Sequence, residues 1–141
     1  MKKIALLVLA FCFIISTSHA VEIKSMNHKE MCDEIKSNTG KKKYLYFFTS
    51  WCYECNESLK ELLKKDDDKD YITYIISLDF HINDLNLFAE ENKKYNKNIY
   101  FFKEKNLIGE FFNMCNIEYD DSIPYHVIFD ENNIATALNK E

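Results

Sequence analysis

The sequence of 141 residues contains no arginine, one proline and two glycines. All of its basic residues are therefore lysines, and without guanidinium forks or a basic stripe the composition argues against nucleic-acid binding. A long hydrophobic run is missing too. The apolar stretch Ile4–Ile15 would rise only about 18 Å as a helix, against a hydrocarbon core of about 30 Å. There is a single Cys-x-x-Cys, and neither a second one nor a pair of close histidines to complete a tetrahedral metal site. Cys55 is followed by Asn56 rather than histidine, which removes the haem-attachment motif. The poverty in Arg, Gly and Pro beside abundant Lys, Asn and Ile is also what an AT-rich genome would produce.

The N-terminus has the layout of a secretory signal peptide: basic Met1-Lys2-Lys3, the apolar Ile4–Ile15, then Ser18-His19-Ala20 with small residues where a signal peptidase reads. Cleavage after Ala20 is expected, leaving residues 21–141 as one domain without stable membrane insertion, in the periplasm or secreted. A retained anchor is the alternative, and the shortness of the run speaks against it. Cys12 follows Phe11 rather than a small residue, so lipidation is discounted. Processing would remove Lys2 and Lys3 and no acid, deepening the net charge from −5 to −7. It would also reduce five cysteines to four: Cys32, Cys52, Cys55 and Cys115. In an oxidising compartment four cysteines allow three full pairings. Whether Cys32 and Cys115 pair or stay as buried thiols depends on a distance that sequence does not give.

The centre of the chain is Tyr44-Leu45-Tyr46-Phe47-Phe48, an unbroken apolar run that reads as a strand covered on both faces. After Thr49-Ser50-Trp51 come Cys52 and Cys55. From Asn56 onward Leu59, Leu62 and Leu63 recur at helical spacing, with acids early and lysines late, matching the helix dipole. Cys52 thus falls at a helix N-terminus, where free N–H groups and partial positive charge favour a thiolate. Cys55, one turn on, can reach back to close a disulfide.

Trp51-Cys52-x-x-Cys55 after a hydrophobic strand resembles the active site of the thioredoxin superfamily. Ser122-Ile123-Pro124-Tyr125-His126-Val127-Ile128-Phe129-Asp130 is similar to that family's cis-proline segment and the strand after it. The resemblance spans residues 41–137. It implies an α/β fold of thioredoxin type, a central mixed sheet flanked by helices. The Ile99–Phe102 segment, the helix before the proline and the Phe129-Asp130-x-x-Asn133 hairpin bring it closest to the exported, periplasmic branch of thiol-disulfide oxidoreductases. One departure is that the helix usually closing the fold is short or missing here.

The remaining elements follow from local pattern. An edge strand is expected over 21–26, and a helix over 28–36 capped by Asn27 with Met31, Cys32 and Ile35 inward. Lysines 41–43 lead into the central strand, and 64–70 form a charged turn. A second buried strand, 71–78, makes a right-handed βαβ unit with the first. Asn83 or Asp84 would cap the next helix, with Leu85, Leu87, Phe88 and Tyr95 as apolar positions. A short strand at 98–102, a helix around Ile108, Phe111, Phe112 and Cys115, and a hairpin of 125–129 with 134–138 complete the chain.

The resemblance assigns Cys52 as attacking thiolate and Cys55 as resolving thiol, with protein disulfides as partners. It gives substrate contacts to Trp51, to Ile123 and to Pro124, whose cis bond would free the preceding backbone to pair with an extended substrate. Classical thioredoxins carry a buried aspartate six residues before the first cysteine and a lysine on the next strand. Those positions are Tyr46 and Ile75 here, which leaves proton transfer to Glu54, Glu57 or His126. With Tyr53 and Glu54 between the cysteines and no histidine there, a second negative charge is disfavoured, so the expected direction is that of a reductant fed by a membrane electron donor. No cofactor and no metal is expected. Glu118-Tyr119-Asp120-Asp121 with Glu54 and Glu57 forms either an acidic rim or a solvated loop. Two other functions compete: a metal-binding or delivery module using Cys52, Cys55 and His81 or His126, and a non-catalytic interaction domain.

Overall fold

The computed structural model describes residues 20–65 and 68–138. The expected signal peptide, residues 1–20, lies outside the described residues except for Ala20, as do Asp66 and Asp67 of the charged turn. The elements are β1 (Glu22–Met26), α1 (His28–Ser37), β2 (Lys42–Phe48), α2 (Tyr53–Lys64), β3 (Tyr71–Ser77) and α3 (Ile82–Glu91). After them come β4 (Asn98–Phe102), a 3-10 turn (Lys105–Leu107), α4 (Ile108–Met114), β5 (Tyr125–Phe129) and β6 (Ala135–Ala137). Six strands form one sheet in the order β1-β4-β3-β2-β5-β6. The β1–β4, β4–β3 and β3–β2 pairs are parallel, and β2–β5 and β5–β6 antiparallel. This is the mixed, helix-flanked sheet that the sequence implies. Among the described residues no helix follows β6.

The period of two along β2 builds the molecule's two layers. Leu45 and Phe47 point into one, with Met31, Cys32 and Ile35 of α1 and Phe111 and Phe112 of α4. Tyr46 and Phe48 point into the other, with Cys55, Leu59 and Leu63 of α2 and Leu85 and Phe88 of α3. Each of these large side chains removed from water contributes roughly 2–3 kcal/mol of hydrophobic free energy. The first layer is also cross-linked: Cys32 and Cys115 form a disulfide between α1 and the end of α4, Cα to Cα 5.8 Å. That pairing was open in the sequence.

Asn27 caps α1 with a full capping box, its side chain accepting from the Glu30 N–H at 2.8 Å and the Glu30 carboxylate accepting from the Asn27 N–H at 2.9 Å. Four local expectations are corrected. Helix α3 starts earlier than Asn83 or Asp84, with His81 at the N-cap and no side-chain cap. Leu87 lies 69% exposed on its outer face, and Tyr95 lies beyond the helix end at Glu91. Lys43 is no lead-in but a wholly buried residue of β2 whose Nζ donates to Asn133 Oδ1. Asn133 occupies the left-handed region at φ 63° in the hairpin turn, and its amide also donates to the Lys36 carbonyl. The turn is thereby tied to the C-terminus of α1.

Candidate functional site

Strand β2 ends at Phe48, and a short turn carries the chain to α2, whose N-cap is Cys52. The cap position faces the first-turn N–H groups, so Cys52 Sγ accepts from the Cys55 N–H at 3.2 Å. Cys52 and Cys55 are joined as a disulfide with Cα atoms 5.2 Å apart. Their exposure differs: Cys55, in the first turn of α2, is fully buried, and Cys52, at its N-cap, is half-buried. Opening this bond would leave Cys52 as the sulfur a partner can reach.

The turn before Cys52 is pinned at several points. The Cys52 N–H donates to the Thr49 carbonyl at 3.1 Å. The Ser50 N–H and hydroxyl both donate to the carboxylate of Asp79, at 3.0 and 2.7 Å. The Ser50 carbonyl accepts from the Asn56 side-chain amide at 2.8 Å. Below Cys55, the Tyr46 hydroxyl donates to the Cys55 carbonyl at 2.8 Å. Burial pushes the Tyr46 phenol up to about 12, so it remains a donor at neutral pH. His126 lies opposite Tyr46 in the β2–β5 register, with its ring edge-on at 5.0 Å between centroids, and its Nδ1 is hydrogen-bonded to the Tyr44 hydroxyl.

The other residues singled out in the sequence fall around this centre. The Ile123–Pro124 peptide is cis; Pro124 is buried, and Ile123 packs against both layers, including the one Cys52 borders. Trp51 is 70% exposed and Tyr53 77%, so Trp51 is surface beside the disulfide rather than core. Glu54 and Glu57 are exposed on α2, and Glu57 is paired with Lys60 at 2.9 Å. His81 is exposed at the start of α3. Among the described residues no group of three or more His, Cys, Asp or Glu side chains is placed to hold a metal ion. Glu118, Asp120 and Asp121 are exposed before the proline loop.

Sequence reasoning missed Asp79 and Lys105. Asp79 follows Ser77-Leu78 at the end of β3 and is 1% exposed. The only signal for it was a charged residue directly abutting a β-branched strand. Lys105 belongs to the 3-10 turn after β4 and is half-buried, and nothing in its neighbourhood of Lys and Glu marks its Nζ as enclosed. Phe80, 72% exposed beside Asp79, adds a third aromatic residue to this end of the sheet.

No protein-family model and no curated protein matches the sequence. Solved structures do. One is the thioredoxin domain of a thiol-disulfide oxidoreductase from Bacteroides vulgatus, 22% identical, with TM-score 0.53, covering 72% of this chain and 71% of that one. A second is the exposed lipoprotein thioredoxin of Streptococcus pneumoniae, 22% identical, TM-score 0.53, covering 71% and 74%. A third is a secreted Mycobacterium tuberculosis disulfide oxidoreductase described as homologous to E. coli DsbE, 18% identical, TM-score 0.50, covering 74% and 73%. At these identities the likeness establishes the fold: the chain is thioredoxin-like.

Proposed function

We propose that the protein is an exported thiol-disulfide oxidoreductase that passes electrons from a Cys52–Cys55 dithiol to disulfides of partner proteins. The observation that carries this reading is the asymmetric disulfide at the head of α2, one sulfur at the surface and N-cap, the other buried. A Cys52 thiolate attacks one sulfur of the partner's disulfide, forming a mixed disulfide and releasing the other partner sulfur as thiolate. Cys55 then attacks Cys52 Sγ, releasing the second partner sulfur. Two electrons have moved to the partner, and the protein is left in the disulfide form described above.

Trp51, Ile123 and Pro124 form the substrate surface in this scheme, and the exposure of Trp51 supports its part. For proton transfer, His126 is favoured over Glu54 and Glu57. Its ring lies against Tyr46, which bonds to Cys55, whereas Glu57 is held by Lys60 on the outer face of α2. The reducing direction rests on Tyr53 and Glu54 between the cysteines, with acids nearby and no histidine to stabilise a thiolate. A reductant in an oxidising compartment needs an outside supply, which makes a membrane electron donor part of the proposal. No helix among the described residues is long and apolar enough to cross a membrane itself.

The test is the reduction potential of the Cys52–Cys55 couple, measured by equilibrating purified protein against dithiothreitol or glutathione and counting alkylated thiols by mass. A value near about −270 mV supports the reductant, and one near about −120 mV reverses the direction. Absence of any reversible couple removes the exchange reading altogether.

A further inference from the structure

Among the described residues only three aromatic side chains are exposed, and all three border the disulfide: Trp51, Tyr53 and Phe80. Trp51 and Tyr53 flank Cys52 in the chain, whereas Phe80 arrives from the loop after β3. The Leu78 N–H donates to the Phe48 carbonyl at 2.7 Å and the Ser50 N–H to the Asp79 carboxylate at 3.0 Å, so the loops after β2 and β3 run side by side. Trp51 and Phe80 each follow one partner of that second bond. Ile82, 40% exposed, continues the apolar surface at the start of α3. Apolar side chains scattered singly are ordinary on a protein surface, but aromatic ones gathered at one place mark a contact face.

Sheet order sets where this face lies. In the run β3-β2-β5 the dithiol follows β2, Phe80 follows β3, and the proline loop leads into β5, whose Tyr125 stands opposite Phe47 near the end of β2. Cys52 thus lies between Pro124 on one flank and Phe80 on the other. The resemblance assigns Trp51 and the proline flank to substrate; the Phe80 flank is additional.

Charge is divided across the molecule as well. Residues 44–59, 70–92 and 106–139 supply all three of these loops and contain no lysine, although the chain has 18. Exposed within them are Glu54 beside Tyr53, Asp84 in the first turn of α3, and Glu118 and Asp121 before Pro124. Lys60, the first lysine along α2, is paired with Glu57 at 2.9 Å. Lys103 and Lys105 follow β4, one strand farther out, and the Lys105 Nζ is turned onto the Phe101 ring, 3.3 Å from its centroid. An apolar face among loops that carry acids and no lysine disfavours anionic partners and fits a segment both apolar and basic.

We propose that Phe80, with Trp51 and Tyr53, forms a specificity surface for one kind of partner: an extended, disulfide-bearing polypeptide segment with a large apolar side chain beside its reactive cysteine and a basic residue beyond it. The proposal rests on the exchange reading given above. The apolar side chain is buried against the aromatic face while Cys52 attacks, and the basic one faces the acids of the surrounding loops.

The experiment measures second-order rate constants of the reduced protein with four peptides, each a mixed disulfide with mercaptoethanol, differing only in Phe or Ala beside the cysteine and Arg or Glu beyond it. Hydroxyethyl disulfide, which carries neither side chain, is the reference. The peptide with Phe and Arg is expected to react about tenfold faster than the one with Ala and Glu, each change contributing about threefold. Phe80→Ala should lower the preference for Phe over Ala about threefold, and salt at about 0.5 M should erase most of the preference for Arg over Glu while leaving that for Phe. Equal rates for the four peptides, or a Phe80→Ala variant that keeps the full preference for Phe, overturn the proposal. The four-peptide comparison needs no variant and decides whether or not Phe80→Ala folds. Wild-type protein that reduces neither hydroxyethyl disulfide nor any peptide defeats the exchange reading. One that reduces hydroxyethyl disulfide and all four peptides alike defeats only the specificity surface.

Discussion

The hydroxyl of Tyr46, in the middle of β2, donates to the carbonyl of Cys55 at 2.8 Å. The central strand and the dithiol helix are thus tied by one buried bond, at the position where classical thioredoxins hold an aspartate. A phenol there anchors the backbone of Cys55 and brings no charge.

Tyr46→Phe keeps the ring and removes that bond, and a loss of about 1–2 kcal/mol is expected because the Cys55 carbonyl loses a buried donor. Urea unfolding of the oxidised protein measures it. The same substitution tests a pH effect. The Tyr46 phenol titrates near 12 when folded, above the ordinary tyrosine value of 10.0. Its contribution is complete below about pH 10 and is lost as pH climbs towards 12, when the unfolded chain ionises first. The variant should lose less stability than wild type over that alkaline range.

Lys105 titrates near 8 in the folded protein, below its ordinary 10.5. Between those values the unfolded chain binds the extra proton, so wild-type stability gains from this group as pH rises from about 8 to 10.5. Lys105→Met has no such gain. The stability of the variant minus that of wild type should therefore fall steadily from pH 7 to pH 10, measured by urea midpoints on fully oxidised protein. A flat difference would mean that the ammonium is not desolvated.

The Cys32–Cys115 bridge closes a sequence separation of 83 residues. Its joint replacement by alanine is expected to cost about 2–4 kcal/mol, since the unfolded chain regains the freedom the bridge removes. It joins α1 to the end of α4, away from the layer that holds Cys55. Thiol exchange by the folded variant should consequently stay within about twofold of wild type, because distant sites behave independently.

Cys55→Ser should trap partners as mixed disulfides on Cys52, because the attack proceeds and the resolving step is missing. Cys52→Ser should trap none, its remaining sulfur being buried. Non-reducing gels of the two variants expressed in an export-competent host, probed for this chain, give the comparison. Equal trapping by both would exchange or abolish the two roles.

Much of this was legible in the residues. The apolar run 44–48, the helical leucines after it and the two cysteines between them place a dithiol at a strand-to-helix junction, because burial pattern and helix dipole are local properties. The N-cap at Asn27 was readable for the same reason. Less legible were Leu87, whose apolar side chain faces water, and the start of α3, where no side-chain cap marks the boundary. Lys43 was misread because a lysine beside two others gives no sign that one of them is taken inside by Asn133, 90 residues away.

The sequence by itself determined the chemistry on offer: a single Cys-x-x-Cys at a helix head, one proline downstream, no arginine and no second metal-ligand pair. Tertiary structure alone decided what stands around that chemistry. Cys32 meets Cys115, Tyr46 meets Cys55, Asp79 holds Ser50 and Lys105 is enclosed over Phe101. Each of these contacts depends on how parallel strands stack side by side and which loop closes over their ends. Such distances are set by the packing of the whole sheet, and no short window of residues encodes them.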